Sequence, residues 1–94
     1  MPFLLVRHKV LSYDKWKDGF DEDEPNRWAG GSKGGFIFRG ADDPSQVVVV
    51  LEWDSSKTVR EFAHSTALRD RMRCEGVLDE PDIYVVDEAD RPVI

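Results

Sequence analysis

One cysteine, Cys74, occurs in the 94 residues, so no internal disulfide can form. That fits a reducing compartment, and a cytoplasmic location is the expectation. Histidine is scarce too: His8 and His64 lie far apart and, with Cys74, make no zinc or iron constellation. There is no block of lysine and arginine and no basic stripe with interleaved aromatics, and the net charge is -6. Nucleic acid and anionic membranes are therefore poor partners. The opening run Phe3-Leu4-Leu5-Val6 gives way to Arg7-His8-Lys9, too short an apolar stretch for a signal sequence or a membrane helix. The acidic run Asp21-Glu22-Asp23-Glu24 lacks the glycine and the ligand spacing of a calcium loop and reads as a solvated helix end. Gly30 to Gly35 holds neither a dinucleotide fingerprint nor a phosphate loop. No Ser-His-Asp or Cys-His pairing can be defended from the order of residues.

Apolar residues make up 40% of the chain, with three Trp, five Phe and two Tyr, which is enough for one packed core over residues 1–94. The segment Val47-Val48-Val49-Val50-Leu51-Glu52-Trp53 is the most informative. Successive strand side chains point to opposite faces. Val47, Val49 and Leu51 therefore need cover on one face of a sheet, and Val48 and Val50 need it on the other. A chain this short has material for about one helical layer. A second copy of the chain is the simplest cover for the remaining face.

Phe3 to Val10 reads as a first strand, with Leu4, Val6, His8 and Val10 on one face and Phe3, Leu5, Arg7 and Lys9 on the other. Ser12 can cap a helix over Tyr13 to Asp23, in which Tyr13, Trp16 and Phe20 form one apolar stripe. Pro25 is expected to end that helix, followed by a connection with Arg27 and Trp28. Four glycines in Gly30 to Gly35 predict irregular backbone, either mobile or sharply turning. Phe36 to Arg39 is a second strand, joined by the Gly40 to Ser45 turn to a third, Gln46 to Trp53. Asp54, Ser55 or Ser56 caps a second helix with Val59, Phe62 and Ala63 inward, kinked near Ser65-Thr66, and continued by Leu68 and Met72 to Gly76. Asp82 to Asp87 is the fourth strand. The order strand, helix, strand, strand, helix, strand predicts a ferredoxin-like α+β domain: a four-stranded antiparallel sheet with both helices on one face. Two such sheets packed face to face close a dimeric α/β barrel.

The segments Val6-Arg7-His8-Lys9-Val10, Tyr13-Asp14-Lys15-Trp16-Lys17, Ser32-Lys33-Gly34-Gly35, Arg39-Gly40-Ala41-Asp42-Asp43-Pro44, Leu51-Glu52-Trp53-Asp54 and Pro81-Asp82-Ile83-Tyr84 together resemble small proteins of the dimeric α/β-barrel superfamily. The resemblance is nearest the antibiotic-biosynthesis-monooxygenase-like group, whose members are often labelled "cyclase", and it covers nearly the whole chain. It implies an apolar pocket between sheet and helices. It also implies an enzyme without a cofactor, monooxygenase- or cyclase-like, acting on an aromatic or polyketide-like molecule. The superfamily's haem-degrading branch uses a Trp and a His that fall here at Phe62 and Met72, so haem is not expected.

His8 is the first candidate for chemistry. If its strand face meets the helices, His8 lies beneath the Tyr13-Trp16-Phe20 stripe, and it is either a proton acceptor in a pocket or a core or rim imidazole satisfied by one hydrogen bond. With His8 as base, Tyr13 or Arg27 would stabilise an oxyanion, and Trp16, Phe20, Trp28, Phe36 and Trp53 would line the ring site or simply pack the core. Trp28, between a helix end and the glycines, suits a lid or a dimer contact. Arg39 is expected to pair with Asp42 or Asp43, and Arg7 with Glu52 on the second face of the sheet. His64 is expected at the surface. The alternative to an enzyme is a homodimeric module that binds a small ligand, or serves in stress, without catalysis.

Overall fold

The computed structural model describes residues 1–74 and 76–93. Along it run β1 (Pro2–Lys9), α1 (Tyr13–Glu22), α2 (Glu24–Gly30), β2 (Ser32–Arg39), β3 (Gln46–Trp53), α3 (Ser56–Ala63), α4 (Thr66–Cys74) and β4 (Asp82–Asp87). The strands form one antiparallel sheet in the order β2-β3-β1-β4. The expected ferredoxin-like α+β arrangement is therefore the observed one, with each helix of the simple pattern divided in two.

Alternation along the strands decides which face meets the helices. In β1, Leu4, Val6 and His8 are buried, followed by Val10; in β3, Val47, Val49, Leu51 and Trp53 are buried. These residues, with Trp16, Val59, Ala63 and Met72 from the helices, make the core. The opposite parity carries Phe3, Leu5 and Arg7, Val48, Val50 and Glu52, all half-buried, and among the described residues no helix covers them. Register brings Phe36 opposite Val50, Phe38 opposite Val48 and Tyr84 opposite Leu5 on that second face. Phe36, Phe38 and Tyr84 are each more than half exposed.

Local chemistry sets the boundaries. The Ser12 hydroxyl accepts from the Lys15 amide and starts α1. Pro25 does not end the helical region, as sequence suggested. It sits in the first turn of α2, where a missing N–H costs nothing because that group has no partner within the helix anyway. Gly31, at φ 122, closes α2, and its N–H donates to the carbonyls of Arg27 and Trp28.

The glycine run is also corrected: Gly30 and Gly31 end α2 and β2 begins at Ser32, so residues 32–35 form a sheet edge rather than an irregular loop. A register shift between Ser32 and Gly34 absorbs the irregularity, helped by the Gly34 amide donating to the Ser32 hydroxyl. A Cβ at Gly35 would run into the Val50 carbonyl, so glycine here permits close strand pairing. The break expected near Ser65-Thr66 separates α3 from α4, and the Ser65 hydroxyl accepts from the Leu68 amide.

Two expected ion pairs are replaced by others. Arg7 donates to Asp82 at 2.6 Å and lies 3.2 Å from Asp79, not against Glu52. Pairing of β1 with β4 sets Arg7 directly opposite Asp82, which explains the exchange. Arg39 donates to the Pro44 carbonyl at 3.0 Å, and its guanidinium carbon sits 4.1 Å from the Tyr13 ring centroid. Asp43 is engaged instead by Ser45 and Lys9.

Candidate functional site

His8 lies near the C-terminal end of β1, on the buried face, opposite Val47. Only 2% of its surface is exposed, and its Nδ1 has no hydrogen-bond partner among the described residues. Above it stands Trp16, placed there by the apolar stripe of α1. The two rings meet edge-on at 5.5 Å, and the Trp16 Nε1 is likewise buried without a partner. Phe20, one turn further along α1, stacks on Trp16 at 5.0 Å. Burial pushes the His8 imidazole below its ordinary 6.5, so the ring is neutral at physiological pH. A neutral imidazole keeps one nitrogen as a proton acceptor, and the indole N–H of Trp16 is a donor only.

His8 and Trp16 line a cavity of about 40 Å³ between sheet and helices, together with Leu4, Val6, Phe20 and Arg27 on one side and Phe62, Arg71 and Met72 on the other. A water needs at least about 10–15 Å³, whereas a cavity of about 150 Å³ accepts benzene. As it stands, the cavity has room for a few waters and none for an aromatic ring.

Two larger spaces adjoin it. A cleft of about 240 Å³ shares Phe20, Arg27 and Leu51 with the cavity and is bordered by Trp28, Lys33 and Phe36. A groove of about 650 Å³ shares Asp23, Phe62, Leu68 and Arg71, and carries Asn26, Thr58, Glu61 and Ser65.

Arginines guard both junctions. The Arg27 guanidinium lies 3.6 Å from the Phe20 ring centroid and donates to the Phe20 carbonyl at 2.6 Å. Arg71 donates to the Gly19 carbonyl at 2.6 Å and approaches Glu22 at 3.4 Å. The last turn of α1 has no basic residue of its own, so α2 and α4 supply the positive charge that its terminal carbonyls attract.

Of the residues singled out from sequence, the structure brings His8, Trp16, Phe20 and Arg27 together. Tyr13 meets Trp16 in a tilted ring contact at 5.8 Å and lies beneath Arg39; it does not line the cavity. Trp28 is 70% exposed on α2, and Phe36 sits on the edge strand; both border the outer cleft. Trp53 is wholly buried, packs against Phe62 at 4.7 Å and donates from Nε1 to the Gly30 carbonyl at 3.2 Å, away from the cavity. His64 is exposed. Sequence reasoning did not place Arg71 at the cavity. The signal was present: Leu68, Arg71 and Met72 stand at i, i+3 and i+4 and share one helix face. Among the described residues, no group of three or more His, Cys, Asp or Glu could hold a metal ion.

No protein-family model matches the sequence, and no curated protein matches it. Solved structures do. The chain is similar to a Bordetella bronchiseptica protein described as a candidate antibiotic biosynthesis monooxygenase, with TM-score 0.74 and 14% identity over 94% of this chain and 96% of that one. It is similar to a point mutant of SnoaB, a cofactor-independent oxygenase from Streptomyces nogalater, with TM-score 0.75 and 9% identity over 99% and 97% of the two chains. A third, an antibiotic biosynthesis monooxygenase, aligns with TM-score 0.68 and 11% identity over 96% and 100%. At such identities the likeness carries the fold. The chain has the ferredoxin-like α+β fold of the antibiotic-biosynthesis-monooxygenase-like proteins.

Proposed function

We propose that the protein is a cofactor-independent enzyme that removes a proton from an aromatic or polyketide-like substrate, with His8 as the base. One observation carries the reading: a neutral imidazole, 2% exposed, whose Nδ1 has no partner among the described residues, in a cavity lined mostly by apolar side chains, alongside Asp23, Arg27 and Arg71. An unpartnered buried nitrogen costs stability, and a structure keeps such a group where a water or a ligand completes it. The Trp16 indole N–H, buried in the same wall, supplies the donor for an oxyanion, a role the sequence had offered to Tyr13 or Arg27.

Once the proton has moved to His8, the substrate carbanion has two outlets. It reduces O2, so that a ring CH2 becomes a carbonyl and the second oxygen atom leaves as water. Alternatively it adds to a carbonyl of the same molecule and closes a ring. Neither outlet needs a group that the chain must carry. The ring enters only if Phe20 and the Arg27 above it swing aside, joining the inner cavity to the outer cleft of about 240 Å³.

The working unit is a homodimer joined through the second face of the sheet. The support is the row of half-buried and exposed apolar residues there, Phe3, Leu5, Phe36, Phe38, Val48, Val50 and Tyr84, which a second copy would cover. A ligand-binding module without catalysis is the second reading; it needs the cavity and its orphaned polar atoms but no proton transfer.

Oxygen uptake with a hydroxyanthrone as probe tests the reading. Wild type is expected to turn over, and His8→Gln to lose about 10²–10⁴-fold in rate, the usual contribution of a general base. A folded His8→Gln variant turning over at the wild-type rate refutes the base assignment. Saturable binding by wild type with no turnover supports the second reading.

A further inference from the structure

A separate cleft of about 340 Å³ lies where α3 and α4 meet the edge strand β4, lined by Arg60, Ala63, His64, Arg69, Pro81, Ile83 and Val85. It shares no lining residue with the His8 cavity. We propose that this cleft binds a small molecule with an oxyanion head, carboxylate or phosphate, on an apolar body.

The argument starts from charge. The chain has 19 acidic residues against 13 basic, yet three nitrogen-bearing side chains and no carboxylate line this cleft. Arg60 and His64 stand at i and i+4, so α3 presents them on one face. Arg60 has no ion pair among the described residues. Among the described residues Arg69 has one ion pair, to Glu80 at 3.7 Å, and Glu80 is 89% exposed, so this bridge is weak and easily exchanged for a ligand oxyanion.

The floor gives the second half of the ligand. Ile83 and Val85 are on the helix-side parity of β4, half-buried, and Pro81 and Ala63 extend the apolar patch. Guanidinium groups above such a floor match an oxyanion carried on an aryl or alkyl body. The volume is within the range of about 300–1,000 Å³ usual for small-ligand sites.

The test is a heteronuclear NMR titration of the full chain with phenylphosphate, with inorganic phosphate, and with phenylphosphate against Arg60→Ser/Arg69→Ser. Both arginines are exposed, so the double variant is expected to melt as wild type does. The expected result is saturable shifts at the amides of Arg60, His64, Arg69, Ile83 and Val85. Affinity should be at least about tenfold weaker in the double variant and also weaker for inorganic phosphate. No saturation up to about 10 mM, or equal affinity in the double variant, overturns the site. Equal affinity for the two phosphates overturns the apolar half of the proposal. His8→Gln leaves the titration unchanged, so it reads this cleft alone.

Discussion

Trp53→Ala is expected to lower the unfolding free energy by about 3–5 kcal/mol, a large share of the roughly 5–15 kcal/mol that holds a typical domain together. Trp53 is wholly buried at the end of β3, where three elements meet. Its ring packs against Phe62 of α3 at 4.7 Å, and its Nε1 donates to the Gly30 carbonyl at the end of α2 at 3.2 Å. Truncation leaves a void that these rigid neighbours cannot fill, and it leaves the Gly30 carbonyl without that donor. Trp53→Phe keeps most of the volume and loses the hydrogen bond, so its cost should be smaller. Urea denaturation of both variants at one protein concentration measures the difference. A cost below about 1 kcal/mol for Trp53→Ala would contradict the structural role assigned to this residue.

Phe36→Asp combined with Tyr84→Asp is expected to raise the dissociation constant of the proposed dimer by at least about 10²–10³-fold. Both side chains lie on the second face of the sheet, on the strands that border it, β2 and β4. An unpaired carboxylate buried in an apolar interface costs about 3–5 kcal/mol, which converts to that range. The fold itself should survive, since Phe36 is 63% and Tyr84 56% exposed within one chain. Leu11→Asp is the control: it is 76% exposed but sits in the turn before α1, outside the sheet. Sedimentation velocity should find wild type and the control at twice 10.8 kDa and the double variant at 10.8 kDa. Wild type sedimenting as a 10.8 kDa particle at micromolar concentration would end the dimer proposal.

The strands were legible because alternation is local. Leu4, Val6 and His8 share a face whatever the rest of the chain does, and Val47 to Leu51 announce a sheet that needs cover on both sides. Pro25 and the glycines misled because each residue type has two uses. Proline ends a helix or begins one, and glycine loosens a loop or lets two strands approach closely.

Partners distant in sequence were not legible. Arg7 could be matched to Asp82 only after the pairing of β1 with β4 was known. The site was half legible. The stripe Tyr13, Trp16, Phe20 pointed at His8, but the angle at which α1 crosses the sheet decides that Trp16 and Phe20 line the cavity while Tyr13 lies under Arg39. The division into α1 and α2, which carries Arg27 back over Phe20, left no periodic signal at all.

At the centre of the proposal is a histidine kept neutral in a mostly apolar cavity, its Nδ1 without a partner among the described residues. Because burial lowers its affinity for a proton in the folded chain, the unfolded chain protonates first. Stability from this residue is full above the ordinary 6.5 and declines as the pH falls through it. Asp43 and Asp79, held below their ordinary 3.8 chiefly by the Ser45 hydroxyl and by the Lys9 amide, titrate outside that window. The direct measurement is a pH titration of the His8 ring by heteronuclear NMR. The account predicts a His8 midpoint below 6.5, alongside a fall in stability between about pH 7 and pH 5 that His8→Gln abolishes. A His8 midpoint at or above 6.5 would show a charged or solvated ring and contradict it.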